Sequence, residues 1–286
     1  MPDSPPPNHG PARLTSAEPS IGGPTGTRAP QGAGASGQAK RDALAVAQGV
    51  EVSKRIFPGT ASTYDDVVAW TTLGLDAKWK RALLAMLPES TSVLELACGT
   101  GILTGLLLER FPRARFVGVD LTADYLAVGR ARHEGRGRDV SFVHGDATTA
   151  PLTGRGPFDL VVSCYLPKYV DPALLLDHLA PHLAPGAFLA LQDFDRPRGT
   201  LPRFLWRRWF GFLNLYVPWR RPEWSACFDR SLLRLVEASH WPHRYGAALE
   251  SRGWQDVRTV RHSYGAARTL VARRQSAGVS ASSPSA

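Results

Sequence analysis

Long apolar runs are missing from this sequence. No stretch of 18 residues is both apolar and free of charge, so no transmembrane helix is expected. The N-terminus has no apolar core of the secretory-signal kind, so no such signal is expected. Cysteine is scarce. Cys98, Cys164 and Cys227 are too few for a disulfide framework and lack metal-ligand spacing. A reducing compartment, the cytoplasm, fits, and no metal is expected. Acidic residues are in the minority, 25 against 34 Lys and Arg, for a formal net charge of +9. That balance admits nucleic acid, a membrane surface or an anionic ligand, and equally a solvated basic surface. Solenoid-length repeats are also absent.

The 286 residues are 43% hydrophobic, enough for one large domain. Residues 1–42 are dominated by Pro, Gly, Ser and Ala, as in "APQGAGASGQ", and residues 275–286 read "QSAGVSASSPSA". Such composition cannot bury enough apolar surface to offset its conformational entropy, so both ends are expected to be disordered tails. Between them, short apolar strands alternate with helical periodicity. "SVLELA", "RFVGVD", "VSFVHGD", "FDLVVSCYL" and "GAFLALQDF" read as strands. "AKWKRALLAML", "ILTGLLLERF", "ADYLAVGRARHE" and "PALLLDHLAPHL" read as helices, the first two stopped by Pro88 and Pro112. This alternation predicts an α/β fold, a parallel sheet covered on both faces. Its ligands should lie beyond the carboxyl ends of the strands.

The first strand runs into "ACGTG" and then a helix. Gly99 and Gly101 permit a tight turn and a close approach of backbone to ligand. The spacing fits neither a phosphate loop, which needs a following Lys and Ser/Thr, nor a dinucleotide fingerprint, because Gly105 comes one residue too late. An acid, Glu95, sits inside the apolar run. Asp120 closes the second strand, where a carboxylate can accept both hydroxyls of a ribose. Asp146 follows the third strand. Three acids at successive strand ends repel phosphate. They suit a ligand with a ribose, an adenine amine and a cationic amino-acid end, which describes S-adenosylmethionine. Glu95 would help hold the ammonium end. Alternatively, each acid caps the helix that follows it.

These motifs resemble those of the class I S-adenosylmethionine-dependent methyltransferases: "LELACGTG", "VGVDLT", "HGDA" and "FDLVVS". Within that class the chain is most similar to the UbiE/MenG family, the C-methyltransferases of ubiquinone and menaquinone synthesis. "TASTYDDVVAWTTLGLDAKWKRALL" is similar to that family's leading segment, and the stretch from Leu235 to Arg274 to its C-terminal end. The resemblance implies a Rossmann-like fold with a mostly parallel seven-stranded sheet and a small helical cap. The methyltransferase domain would span 43–274, with the cap at about 197–245. Thr100, Asp120, Asp146, Ala147 and Ser163 match the family's cofactor contacts, Gly99 and Gly101 form the turn, and Tyr64 lies on the lid. Pro167 and Lys168 stand where the family carries an Arg-Asn pair tied to catalysis. Cofactor use is untouched by that departure, whereas the quinone C-methylation the family implies loses its usual pair. An O- or N-methyltransferase of a secondary metabolite is the alternative, and a cofactor-fold binding protein without catalysis a further one.

Methyl transfer from a sulfonium chiefly needs two positioned reactants and no water. If the acceptor must lose a proton, Tyr165, Lys168, His240, His243 and His262 are candidate bases, and nothing in the sequence chooses among them. The cap region "PRFLWRRWFGFLNLYVPWRRPEW" interleaves aromatics with Arg203, Arg207, Arg208, Arg220 and Arg221. Either it covers the core with its arginines solvated, or it meets lipid headgroups and a lipophilic aromatic acceptor. Basic-aromatic patches also bind single-stranded nucleic acid, but no RNA-binding module accompanies this one and no nucleic-acid partner is expected.

Overall fold

The structure is a computed structural model that describes residue 51 and residues 53–276. Residues 1–42, and all of the expected C-terminal tail except Gln275 and Ser276, lie outside the described residues.

Among the described residues, α1 (Tyr64–Thr71) and α2 (Leu75–Leu84) lie just ahead of the sheet. The helical pattern of α2 continues to Leu87, yet the helix closes at Leu84. Met86 N–H bonds to Leu83 O (2.9 Å) and Leu87 N–H to Leu84 O (3.2 Å), tightening the last turn ahead of Pro88. Five parallel strands follow, with a helix after β1, β2 and β4 and a loop after β3: β1 (Ser92–Leu96), α3 (Ile102–Arg110), β2 (Arg115–Asp120), α4 (Ala123–His133), β3 (Val140–His144), β4 (Phe158–Cys164), α5 (Pro172–Leu179) and β5 (Leu183–Phe194). Asp171 caps α5 by accepting from Ala173 N–H (2.8 Å) and Leu174 N–H (3.2 Å), with Pro172 in the first turn. After β5 come α6 (Thr200–Arg220), α7 (Ser231–Ser239), α8 (Trp241–Ser251), β6 (Gln255–His262) and β7 (Ala267–Arg273).

The seven strands lie in the order β3-β2-β1-β4-β5-β7-β6. β7 runs antiparallel to β5 and β6, and the other pairs are parallel. Strand order reverses between β1 and β4, and a crevice at that switch point is where such sheets bind ligands. Successive side chains point to opposite faces. Leu94, Leu96 and Val161 pack with Leu175 of α5 and Trp241, Tyr245 and Leu249 of α8. Val93, Leu160 and Val162 pack with Leu83 of α2 and Leu103 and Leu107 of α3. The sheet is thus covered on both faces, as the sequence pattern predicts.

The 21-residue α6 is the cap. Its Leu213 and Val217 bury against Ile56, Val67, Trp224 and Phe228, a small core separate from those of the sheet. The opposite face is open: Leu201, Phe204, Leu205, Phe212, Leu215 and Trp219 are exposed.

Candidate active site

The turn after β1 is built from backbone geometry. Ala97 (φ 53°), Gly99 (φ 58°) and Gly101 (φ 84°) are all left-handed, a conformation only glycine adopts without cost. Gly101 leaves this turn directly into α3, and a Cβ on it would stand 2.8 Å from the His133 ring. His133 Nε2 bonds Gly101 O at 2.8 Å. Across the turn, Asp120 accepts from Gly99 N–H through one oxygen (2.8 Å) and from Thr122 N–H through the other (2.9 Å). Its carboxyl is buried and pushed above the usual carboxylate range by desolvation, the two N–H donors opposing that push. Each oxygen keeps capacity for a further donor.

Gly99, Asp120 and Tyr64 line one cavity of about 310 Å³ at the switch point. Phe57, Tyr125, Tyr165 and Tyr169 enclose it with aromatic surface. The Tyr64 ring meets Tyr125 edge-on (5.1 Å) and stacks on Trp224 (6.1 Å), so the N-terminal segment closes over the cavity as a lid would. Tyr125 hydroxyl shares a 2.7 Å hydrogen bond with Thr60.

The other expected site residues stand outside this lining. Glu95 is 1% exposed, on the strand face that meets α3, and accepts from Thr104 Oγ1 at 2.6 Å. Desolvation raises its pKa to about 8, against the pull of Thr104 and Lys80. Thr100 Oγ1 donates to Asp65 Oδ1 (2.6 Å), while Arg132 pairs with Asp65 Oδ2 (2.6 Å) and donates to Thr100 O (3.1 Å). Asp65 therefore ties α1 to the glycine turn. Asp146 accepts from Thr148 N–H (2.8 Å) and Oγ1 (2.6 Å), a local turn bond, and Ala147 beside it is buried in the core. Ser163 Oγ donates to Leu96 O at 2.6 Å, stitching β4 to β1.

Of the five candidate bases, only Tyr165 lines this cavity. Its backbone is left-handed (φ 69°), and its hydroxyl donates to Asp76 Oδ1 at 2.5 Å. Burial first, then the Asp76 charge, hold its pKa far above the usual phenol value, so it stays protonated. Asp76 also pairs with Lys80, both buried. Lys168 is 2% exposed. Its Nζ donates to Asp193 Oδ1 (2.8 Å) and to Tyr165 O (2.7 Å), while Asp193 Oδ2 accepts the Lys168 N–H (3.0 Å). Burial lowers the lysine pKa and raises that of the aspartate, and their mutual attraction opposes both shifts. His262 bonds Thr269 Oγ1 (2.9 Å), and His240 and His243 line a different cleft.

Sequence reasoning did not single out Asp65, Asp76, Tyr125 or Asp193. For Asp193 a signal existed: like Glu95, it interrupts an apolar strand. Tyr125 carries none, because an aromatic on a helix facing a sheet ordinarily reads as core.

A family profile described as a methyltransferase domain matches residues 93–186. The chain is 31% identical over 208 residues to the demethylmenaquinone methyltransferase of Thermus thermophilus, covering 70% of this chain and 91% of that one. It is 32% identical over 208 residues to the demethylmenaquinone methyltransferase of Mycolicibacterium vanbaalenii (71% and 86% covered). The 2-phytyl-1,4-naphtoquinone methyltransferase of Thermosynechococcus vestitus is 28% identical over 207 residues (71% and 90%). Among solved structures, the plantazolicin methyltransferase BpumL, in complex with a monoazolic desmethylPZN analog and S-adenosylhomocysteine, superposes with a TM-score of 0.53. That match is 14% identical and covers 83% of this chain and 96% of that one, a likeness of fold. Near one-third identity along most of a curated relative's length places the chain: it belongs to the class I S-adenosylmethionine-dependent methyltransferases, within the family of the quinone C-methyltransferases.

Proposed function

We propose that this methyltransferase acts on a demethylated quinone ring carrying an apolar chain, adding the methyl to a ring carbon. The observation that carries this reading is a shared wall. Tyr165 lines the cavity at the switch point and stacks on Phe194, 4.8 Å away with the rings 20° apart. Phe194 lines a second, apolar cleft of about 260 Å³ beneath α6, with Trp79, Trp206, Trp209, Phe210 and Leu213. A ring held against Tyr165 and a chain lying under the cap would span the two spaces.

The residues at the switch point fit the cofactor. S-adenosylmethionine supplies an already activated methyl group. Asp120, with one free acceptor direction on each oxygen, suits the ribose hydroxyls, and Gly99 offers backbone without a side chain. Tyr64 and Tyr125 cover that end and exclude water. Asp146 and Ala147 are assigned to the adenine end, and Thr100, Gly101 and Ser163 to the turn, on the family resemblance. Glu95 is assigned to the ammonium end from its place at the close of β1, its own side chain lying behind the turn against Thr104. Lys168 is a positioning residue: its bonds to Asp193 and Tyr165 O hold the loop that aims Tyr165. Asp193 thus receives its counter-charge from Lys168, in a loop that lacks the family's Arg-Asn.

The open face of α6 is assigned to the membrane surface, where such acceptors reside. Leu201, Leu205, Arg208, Phe212, Leu215 and Trp219 fall on one helical stripe, and Arg220 and Arg221 close the helix. Among the described residues no helix is long and apolar enough to cross a membrane.

The test is purified protein with methyl-labelled S-adenosylmethionine and a short-chain demethylmenaquinone. The expected product carries the label on the ring carbon. Label on a phenol oxygen or amine nitrogen from cell extract, with none on the quinone, would keep the methyltransferase and remove the quinone.

A further inference from the structure

A third cleft, about 490 Å³, shares no lining residue with the two above. Four arginines reach it, Arg196, Arg198, Arg203 and Arg268, together with His240 and His243, against one carboxylate, Asp195. Arg268 on β7 is its inner wall and is only 9% exposed. One guanidinium nitrogen, Nη2, pairs with Asp195 Oδ2 at 2.5 Å. Its Nε–H is buried and has no hydrogen-bond partner among the described residues. A buried donor left unmade costs about 1–3 kcal/mol; Asp195 Oδ2 beside it is drawn to Nη2 and makes no hydrogen bond of its own among the described residues, so the pair leaves Nε–H open to a further acceptor.

The surroundings favour an anion. Two helices begin at the cleft, α6 with 21 residues and α8 with 11, and neither is opened by a side-chain cap, so their positive ends face it. Burial first, then the charges of Arg261 and Arg198, push the Arg268 pKa down against the pull of Asp195; a bound anion would relieve that repulsion. The cleft is also preformed. Asp195 N–H bonds Ala266 O (3.0 Å) and Arg198 N–H bonds Tyr264 O (3.0 Å), fixing the arginine loop to the β6–β7 turn. Gly265 (φ 98°) lets the two approach, since a Cβ there would stand 3.2 Å from Arg196 O.

We propose that this cleft is a binding site for a phosphate-bearing anion, with Arg268 Nε–H as the inner donor and Arg196, Arg198 and Arg203 as the outer clamp. Guanidinium forks match phosphate oxygens in pairs, and four of them around one carboxylate suit a monoester or diphosphate dianion. A phospholipid headgroup and a soluble phosphate share that chemistry.

The experiment uses the full chain and two probes, inorganic pyrophosphate at constant ionic strength and vesicles of phosphatidylcholine with or without phosphatidic acid. Pyrophosphate should raise the melting temperature saturably. Arg196→Gln/Arg203→Gln, on the rim, should melt normally without anion yet bind pyrophosphate at least tenfold more weakly. Arg268→Lys, which keeps the charge beside Asp195 but removes Nε–H, should show the same loss. If phosphatidic acid enhances vesicle binding in the native chain, and less so in the rim variant, the phosphate comes from lipid. If only pyrophosphate separates native chain from variants, it is soluble. Equal binding of both probes by the native chain and both variants would overturn the site.

Discussion

On its sheet side, the switch-point cavity is made of backbone. The turn after β1 exposes Gly99, and the carboxylate there, Asp120, is held by two backbone N–H groups. On its cap side the surface is made of side chains: Tyr165 stacks on Phe194, and Trp206, Trp209, Phe210 and Leu213 line the cleft behind them. The first kind of surface needs a fixed turn and tolerates little variation. The second needs only bulk and apolarity. The loop after β4, with Pro167 and Lys168, belongs to the second surface, and the glycine turn with Asp120 to the first.

The largest effect should come from the joint between the two sides. Lys168→Ala leaves Asp193 buried without its counter-charge, a loss of about 3–5 kcal/mol. At roughly 2–4 °C per kcal/mol the melting temperature should fall by 6 °C or more, with recovery in Lys168→Arg. Unchanged melting with lost turnover would make Lys168 a participant in the chemistry instead.

Glu95 provides the next test, in pH. Its carboxyl titrates near pH 8 in the folded chain and near 4.5 when exposed, so the folded state binds more protons between those values. Its contribution to stability is complete below pH 4.5 and is lost as pH rises through about 8, with a slope of up to ~1.4 kcal/mol per pH unit. Glu95→Gln should flatten denaturant-unfolding stability over that window; an unchanged slope would show that the carboxyl is ionised throughout.

Asp120→Ala should weaken S-adenosylhomocysteine binding by about 1–3 kcal/mol in calorimetry, leaving acceptor KM alone. Smallest is Asp65→Asn, which loosens the tie from α1 to the turn. Because that pair is partly exposed, a loss of only about threefold in cofactor affinity is expected. A loss matching that of Asp120→Ala would place the lid, rather than the turn, as the main cofactor grip.

Much of the sheet side was legible in the sequence because its signals are local. Short apolar runs marked all five parallel strands, Gly101 marked the start of α3, and Asp120 fell at a strand end. Partners distant in the chain were not legible. Lys168 meets Asp193 only because a crossover through α5 brings β5 beside β4, and Glu95 meets Thr104 only because α3 folds back on β1. Asp146 shows the opposite limit: its turn bond to Thr148 is local, two residues away, yet composition alone does not announce it. His240 and His243, plausible bases by type, belong to the arginine-rich cleft because α8 begins there. The cap's composition announced a surface of aromatics and arginines, but only helical phase divides the buried face of α6 from its open one.

The central claim is that one acceptor spans the Tyr165–Phe194 wall, ring on one side and chain on the other. Its most direct test is the acceptor KM for demethylmenaquinones carrying no, one or two isoprene units, measured with the native chain and with Trp206→Ala. The claim predicts that KM falls several-fold with each unit in the native chain, and that Trp206→Ala raises it roughly tenfold (about 1.4 kcal/mol) for the longest acceptor only. A KM independent of chain length, or one that Trp206→Ala raises equally for every acceptor, would contradict it.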